Sequence, residues 1–252
     1  MTHSTGSWQI DQALRKCMQD HLAVLYGSQE AEGVWQQLEQ ILGDFHREHP
    51  QLVTGDAAAP LTERDSILIT YGDQFREQAE GDAPRVPPLQ TLHEVLAGTL
   101  RPPISGVHLL PFFPYSSDDG FSVIDYTQVN PDMGGWDDVA RLDQDYRLMF
   151  DAVLNHVSRE SEWFQRFLAG DPEYAEWFIT ADPDAPKDWV SKVVRPRAKP
   201  LLTPVETAQG EALVWTTFSE DQIDLNYAPP PVLLRMIEIL LYYVEQGAEI
   251  IR

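Results

Sequence analysis

Polar side chains follow three short apolar segments of the sequence, at the points where each segment ends. The first segment is followed by Tyr71–Gln74, the second by Pro114–Phe121, and the third by Asn155 and His156. Carboxylates, amides and imidazoles exchange hydrogen bonds with hydroxyl groups, and an aromatic ring packs against the C–H face of a sugar. If the three segments end at one place, these residue types predict a pocket for a sugar ring.

Each of these residues also has a structural interpretation when it is considered alone. An Asp-Asp-Gly sequence is typical of a turn, so Asp118 and Asp119 could serve only to shape a loop. Asp73 could cap the segment that follows it, and His156 could be a structural or surface residue. The functional hypothesis therefore depends on the combination rather than on any single residue.

The segments that would position these residues alternate between strand-like and helix-like patterns. Short β-type runs are predicted at Ile67–Tyr71, Val107–Phe112, Tyr146–Val153 and Ala248–Ile251, and helices at Leu89–Leu96, Trp136–Leu142 and Val232–Gln246. Such alternation favours βαβ units and a parallel sheet. In a β/α barrel the carboxyl ends of the strands line the active site, which is where the polar residues would meet.

The sequence predicts four parts. Residues 1–60 form a helical N-terminal extension with helices at 10–26 and 34–49, residues 61–156 the first part of a catalytic β/α barrel, residues 157–230 a proline-rich inserted subdomain, and residues 231–252 the third helix and fourth strand of the barrel. A complete barrel needs eight strand-helix units. Because only four strands are predicted, the expected fold class is α/β, the N-terminal half of a (β/α)8 barrel, and the chain is expected to be incomplete.

Composition restricts the partners and the compartment. The formal charge of −22, from 18 basic and 40 acidic residues, disfavours binding to nucleic acid and to anionic membranes. Met1–Gln9 are polar and no apolar run approaches about 18 residues, so neither a signal peptide nor a membrane span is predicted. Cys17 is the only cysteine, which excludes an internal disulfide, and no metal site is predicted. We expect a cytoplasmic protein.

Four segments, in this order and spacing, resemble the α-amylase superfamily, glycoside hydrolase family 13: Ile69–Asp73, Val107–Pro114, Asp151–His156 and Gly247–Arg252. Within that superfamily, Ser116–Tyr126 and Trp215–Tyr227 resemble the sucrose phosphorylase subfamily and are most similar to its glucosylglycerate phosphorylase branch. The resemblance runs from about residue 67 to the last residue, and the helical extension also suits that branch.

The resemblance implies a retaining α-glucoside phosphorylase of carbohydrate metabolism. Such a glycosyltransferase-type enzyme would convert glucosylglycerate or sucrose, with inorganic phosphate as co-substrate and no cofactor, to α-glucose 1-phosphate. Retaining catalysis uses two carboxyl groups about 5 to 5.5 Å apart. In the family the nucleophile follows the arginine that matches Arg252 by two positions, so both carboxyl groups would lie beyond it. The 252-residue chain alone is therefore expected to be inactive.

On the glucosyl side, the resemblance assigns Asp118 to the hydroxyls of the non-reducing end, Phe121 to stacking on the ring, and His156 to donation toward the 6-hydroxyl. Asp151 and Asn155 would order their loop through hydrogen bonds.

On the acceptor side, the resemblance places Phe218 and Gln222 at the entrance and the acceptor contacts. Arg252 would orient the nucleophile and lower its pKa through its positive charge. The sequence leaves open whether the acceptor is glycerate, fructose or another polyol acid, and it does not determine the oligomeric state.

Two other functions remain open at this stage. One is a non-catalytic half-barrel that binds a sugar or a partner chain. The other is a hydrolase or transglucosidase of the same family, which would differ in releasing glucose, or in transferring it to another sugar, instead of forming glucose 1-phosphate.

Overall fold

The computed structural model describes residues 10–53, 61–78, 85–101, 103–184, 187–195 and 199–252, so Met1–Gln9 lie outside the described residues. The chain forms two compact units. One contains the residues up to 59 together with Tyr227–Leu241, and the other contains residues 60–226 together with Tyr242–Arg252. These units group residues 227–241 with the extension, and the four-part domain division stays a prediction.

The described residues form six α-helices and nine strands. The helices are α1 (Gln12–Glu48), α2 (Pro50–Val53), α3 (Pro88–Val95), α4 (Trp136–Asp143), α5 (Glu162–Leu168) and α6 (Pro230–Glu245). The strands are β1 (Ile67–Thr70), β2 (Gly106–Leu109), β3 (Arg147–Phe150), β4 (His156–Ser158), β5 (Thr180–Ala181), β6 (Leu202–Thr207), β7 (Gly210–Trp215), β8 (Gln222–Asp224) and β9 (Ala248–Ile251).

Helix α1 forms most of the described part of the first unit. Its N-terminus is capped by the Asp11 carboxylate, which accepts hydrogen bonds from the backbone N–H groups of Ala13 and Leu14. Gly27, with φ 77° and ψ 154°, interrupts the helical geometry. The prediction that the second helix starts at residue 34 is wrong, because helical structure resumes directly after Gly27. Ala31 and Val34 explain the difference, since both are buried in the core of this unit with Leu234 of α6.

The central sheet has the predicted parallel topology. Its strands lie in the order β1-β2-β3-β9, and every neighbouring pair is parallel. In the sequence, α3, α4 and α6 each separate two of these strands, as expected for βαβ units. Because all four strands run in the same direction, their carboxyl ends lie at one edge of the sheet, and the polar residues that follow them are brought together.

The inserted segment contains strands that the sequence patterns did not indicate. Strand β4 pairs with β8 in an antiparallel ladder, and β5, β7 and β6 form a separate antiparallel sheet. In β6 the buried residues Thr203 and Val205 alternate with exposed neighbours. Pro204 lies between them, and because proline is rare inside strands, the sequence pattern did not indicate a strand here. His156 therefore begins a strand instead of ending a loop, and its position is fixed by the ladder that it forms with Asp224.

Aromatic side chains fill the core of the second unit. Phe113 stacks on Tyr243 with 5.1 Å between ring centroids, and Phe112 contacts Phe150 edge to face at 5.0 Å. The Tyr243 hydroxyl is buried and has no hydrogen-bond partner among the described residues. Burial raises the pKa of Tyr243 well above its usual range, so the group is neutral.

We expect Tyr243→Phe to leave the free energy of unfolding unchanged or to raise it by up to about 1 kcal/mol, because the change removes a buried and unsatisfied polar group. Tyr126→Phe is the matched control, since the Tyr126 hydroxyl lies 2.9 Å from the carbonyl oxygens of both Val153 and His156. That variant should lose about 1 to 2 kcal/mol. Denaturant unfolding compares the two, and equal losses would contradict the assignment.

Candidate functional site

A pocket of about 470 Å³ opens where the carboxyl ends of β1 and β3 meet the loop after β2 and the β4–β8 ladder. This volume is in the range of small-molecule sites. Its lining is formed by Tyr71, Asp118, Asp119, Phe121, Asp151, Ala152, Val153, Asn155, His156, Phe218 and Gln222. The structure thus brings together five of the six predicted site residues, and their roles stay predictions.

The loop after β2 holds Asp118 in an unusual backbone conformation. Asp118 and Asp119 have φ values of 56° and 51°, in the left-handed region that side-chain-bearing residues rarely adopt. Gly120 follows with φ 100°, and a Cβ atom there would lie 2.4 Å from the Pro111 carbonyl oxygen. The close approach of Gly120 to Pro111 therefore sets the turn, and the turn presents Asp118 and Phe121 to the pocket. Strained residues of this kind cluster at functional sites.

Gln222 connects the two polar residues that the sequence analysis placed on the glucosyl side. Its Nε2 atom donates to Asp118 Oδ2 at 3.0 Å and lies 3.1 Å from His156 Nε2. The Oε1 atom accepts from Ser219 Oγ at 2.9 Å, which fixes the orientation of the amide. Gln222 is only 2% exposed, so the structure places it between Asp118 and His156 inside the pocket.

One ring nitrogen of His156 forms a hydrogen bond with the protein, and the other has no partner among the described residues. Its Nε2 atom lies 2.9 Å from the Phe121 carbonyl oxygen, whereas Nδ1 is buried without a hydrogen-bond partner among the described residues. The Phe218 ring packs beside the imidazole, with 5.0 Å between centroids. The backbone and side chain of Thr217 bond Asp224 at 2.7 Å and so hold the segment that carries Phe218.

Burial lowers the pKa of His156, opposed by its hydrogen bond to the Phe121 carbonyl oxygen and by the nearby charges of Asp224 and Asp118. The unfolded chain binds a proton at this residue near pH ~6.5, and the folded chain does so only at lower pH. Between those two pKa values the unfolded state holds more protons. Stability should therefore fall as the pH drops below about 6.5 and should gain nothing from His156 above it.

We expect the free energy of unfolding of the unsubstituted protein to fall more between pH 7.5 and pH 5 than that of His156→Gln. Both proteins share every other titrating group, so the difference isolates His156. Replacing His21, an exposed residue of α1, with Gln provides the control for loss of a histidine as such. Identical pH profiles for His156→Gln and the unsubstituted protein would contradict a buried neutral imidazole.

Asp151, directly after β3, bonds side chains of β2 and of the residue that follows β9, at the edge of the pocket. Its Oδ2 atom lies 2.8 Å from His108 Nε2 in β2, and its Oδ1 atom accepts from Arg252 Nη1 at 3.0 Å. Arg252 is held next to β3 by a backbone hydrogen bond of 2.9 Å to Phe150. Arg252, the sixth predicted residue, is thus absent from the lining described above and contacts the lining residue Asp151. Sequence reasoning missed His108, whose signal is an imidazole within an otherwise apolar strand.

The pocket is acidic. Its described lining contains three aspartates and neither lysine nor arginine. Burial raises the pKa of Tyr71, and the charges of Asp119 and Asp118 raise it further. A neutral, hydroxyl-rich ligand suits this part of the site, because hydroxyls donate to carboxylates while an anion would be repelled.

The described ranges of the chain lack two features. No helix in those ranges has both the length and the apolarity to cross a membrane. Nor do they contain a group of three or more histidine, cysteine, aspartate or glutamate side chains placed to hold a metal ion.

The parallel β/α sheet, with carboxylate, imidazole and aromatic side chains gathered beyond its carboxyl ends, places the chain in the β/α-barrel class. The chain belongs to the alpha-amylase family: the family described as "Alpha amylase, catalytic domain" matches residues 103–252. The four parallel strands are accordingly part of a β/α barrel, as the sequence predicted.

Two relatives of the chain are glucosylglycerate phosphorylases. Over 237 residues the chain is 52% identical to a glucosylglycerate phosphorylase of Spirochaeta thermophila, a match that covers 93% of this chain and 39% of that protein. It is 42% identical to a glucosylglycerate phosphorylase of Escherichia coli, over 95% of this chain and 41% of that protein. The chain thus spans about two fifths of the length of these relatives.

The fold is also similar to a solved phosphorylase structure. The crystal structure of a sucrose 6F-phosphate phosphorylase from Thermoanaerobacter thermosaccharolyticum superposes with a TM-score of 0.67 at 31% identity, over 77% of this chain and 40% of that one. The share covered here again corresponds to a partial barrel, and the resemblance to the sucrose phosphorylase subfamily is confirmed.

Proposed function

We propose that this chain is part of a retaining α-glucoside phosphorylase that transfers the glucosyl unit of glucosylglycerate, or of sucrose, to inorganic phosphate and forms α-glucose 1-phosphate. The observation that carries the proposal is the convergence of Asp118, His156 and Gln222 in one pocket within a chain 42 to 52% identical to glucosylglycerate phosphorylases. The substrates are small molecules, phosphate is a co-substrate, and no cofactor takes part. The proposed compartment is the cytoplasm.

The pocket residues bind the glucosyl unit in this proposal. Asp118 accepts hydrogen bonds from sugar hydroxyls, Phe121 packs on the ring, and the unpartnered Nδ1 of His156 bonds a further hydroxyl. Phe218 and Gln222 line the same pocket, and Gln222 holds the Asp118 carboxylate in place through its Nε2 donor while it lies beside the His156 ring. Arg252 orients the nucleophile. We assign the nucleophile and the acid/base to none of the lining residues.

The test is a product assay on the full-length gene product. Glucosylglycerate or sucrose is supplied with phosphate, and α-glucose 1-phosphate and free glucose are both measured. The proposal predicts phosphate-dependent formation of glucose 1-phosphate, with faster turnover of glucosylglycerate than of sucrose. Formation of glucose at the same rate with and without phosphate would favour a hydrolase, and binding of glucosides without turnover would favour a non-catalytic function.

A further inference from the structure

A cluster of serine hydroxyls surrounds one carboxylate beside the pocket. Asp221 Oδ2 accepts hydrogen bonds from Ser116 Oγ at 2.6 Å, from Ser122 Oγ at 2.8 Å and from Ser117 Oγ. Ser158 of β4 extends the cluster, because its hydroxyl lies 2.6 Å from Ser116 Oγ. We name this arrangement, Asp221 with Ser116, Ser117, Ser122 and Ser158, the serine clamp.

The serine clamp joins parts of the chain that are distant in sequence. Three of its serines flank the turn that carries Asp118 and Phe121, whereas Asp221 lies about one hundred residues later, next to Gln222. The main chain lies close to the same junction, since the Asp221 carbonyl oxygen is 3.1 Å from Ser122 Oγ and shares the single proton of that hydroxyl with Oδ2. A carboxylate that accepts several hydroxyl donors forms charge-assisted bonds, which are stronger than neutral ones.

The turn between the serines contains two consecutive residues in an uncommon backbone conformation. Asp118 and Asp119 both adopt positive φ, a region that aspartate enters more readily than most residues but that a turn holds in a single arrangement only with support from its surroundings. Bonds at Ser117 on one side and Ser122 on the other restrain the turn at both ends. The neighbouring residue Gln222 then meets Asp118 directly at 3.0 Å.

We propose that Asp221 is a positioning residue: through the serine clamp it holds the Asp118 turn and Gln222 in the arrangement that binds the glucosyl ring, without contacting the sugar itself. The inference rests on the proposed function for the identity of the ligand. The positioning role of Asp221 goes beyond the proposed function, because it assigns the preorganisation of the pocket to one residue outside the pocket lining.

The test measures glucose affinity of the full-length gene product by calorimetry. Asp221→Asn keeps the size of the side chain and weakens every hydroxyl bond, so it should lower the affinity for glucose about tenfold. In the background of Asp118→Asn the same change should have less than a twofold effect, because residues that act through one another are not additive. Ser117→Ala, which removes a single donor, is the milder second variant and should lower the affinity about threefold.

Asp138→Asn is the matched control. Like Asp221, Asp138 accepts several hydrogen bonds, from Gly135 N at 3.0 Å and from Arg141 Nη1 at 2.9 Å, and it lies outside the pocket lining. It should leave glucose affinity within twofold. The inference is overturned if Asp221→Asn and Ser117→Ala also stay within twofold, or if the effect of Asp221→Asn is the same with and without Asp118.

Amide hydrogen exchange separates this inference from the proposed function. Asp221→Asn should speed exchange at the Phe121 and Ser122 amides, which bond Asp118 O at 3.1 Å and Ser117 O at 3.3 Å in the turn. This readout needs no ligand. Absence of phosphate-dependent glucose 1-phosphate formation by the unsubstituted protein would refute the function, while unchanged exchange in Asp221→Asn would refute the positioning role.

Discussion

Asp118→Asn is expected to lower kcat/KM for phosphorolysis by about 10²- to 10⁴-fold in the full-length gene product. A carboxylate can accept hydrogen bonds from two sugar hydroxyls, whereas the amide that replaces it has one acceptor and turns a donor toward the second hydroxyl. Loss of a charge-assisted bond and the mismatch it leaves amount to about 3 to 5 kcal/mol. Asparagine tolerates the positive φ of Asp118, so the turn itself is preserved.

Asp119→Asn is the matched control for that experiment. Asp119 is the next residue, has the same backbone region and carries the same charge, but no role in sugar binding is assigned to it. The change should reduce kcat/KM by less than about tenfold, mainly through the altered field of the pocket. Steady-state kinetics on both variants decide the matter, and equal losses would show that charge at the pocket mouth, rather than a direct bond from Asp118, controls the reaction.

Gly120→Ala should both destabilise the protein and abolish most of the activity. The new Cβ would lie 2.4 Å from the Pro111 carbonyl oxygen, and φ 100° is itself unfavourable for alanine. Strain and overpacking together should reduce the free energy of unfolding by about 2 to 5 kcal/mol. Because the backbone must move to relieve the clash, Asp118 and Phe121 should be displaced, and kcat/KM should fall by at least about 100-fold.

Gly210→Ala separates the effect of the backbone conformation from the effect of the steric contact. Gly210 also has a positive φ, of 115°, but a Cβ there meets nothing within 4 Å. This variant should lose only about 1 to 2 kcal/mol, from the backbone conformation alone, and should keep its activity. Chemical denaturation and kinetics on both variants provide the comparison. Equal destabilisation would mean that the contact with Pro111 has no part in holding the turn.

Much of the fold could be predicted because its pattern is local. Each strand of the parallel sheet is a short apolar run, and each is followed within a few residues by its polar side chains, as in Phe150 and Asp151. A parallel sheet necessarily collects such residues at one edge. The pocket membership of Asp118 and His156 therefore follows from the order of elements once the strands are assigned.

The remaining features depend on pairing between distant segments. The β4–β8 ladder places Gln222 opposite Ser158, and no local period in either strand indicates that contact. The same is true of Asp221, whose partners are serines about one hundred residues earlier. Its sequence context, Glu-Asp-Gln, is typical of an exposed loop. The interior position of Gln222 and the serine clamp thus required the three-dimensional structure.

The pairing of β3 with β9 has a consequence for the kinetics of folding. These adjacent strands are joined in register at Leu148 and Ala248, so about one hundred residues separate two neighbours in the sheet. Bringing such distant segments together carries a large loop-closure entropy, and topologies rich in distant contacts fold slowly. During synthesis at the ribosome, β1, β2 and β3 emerge long before β9. One edge of β3 therefore stays unpaired while the inserted segment is translated. We expect the nascent chain to be most prone to aggregation during this interval.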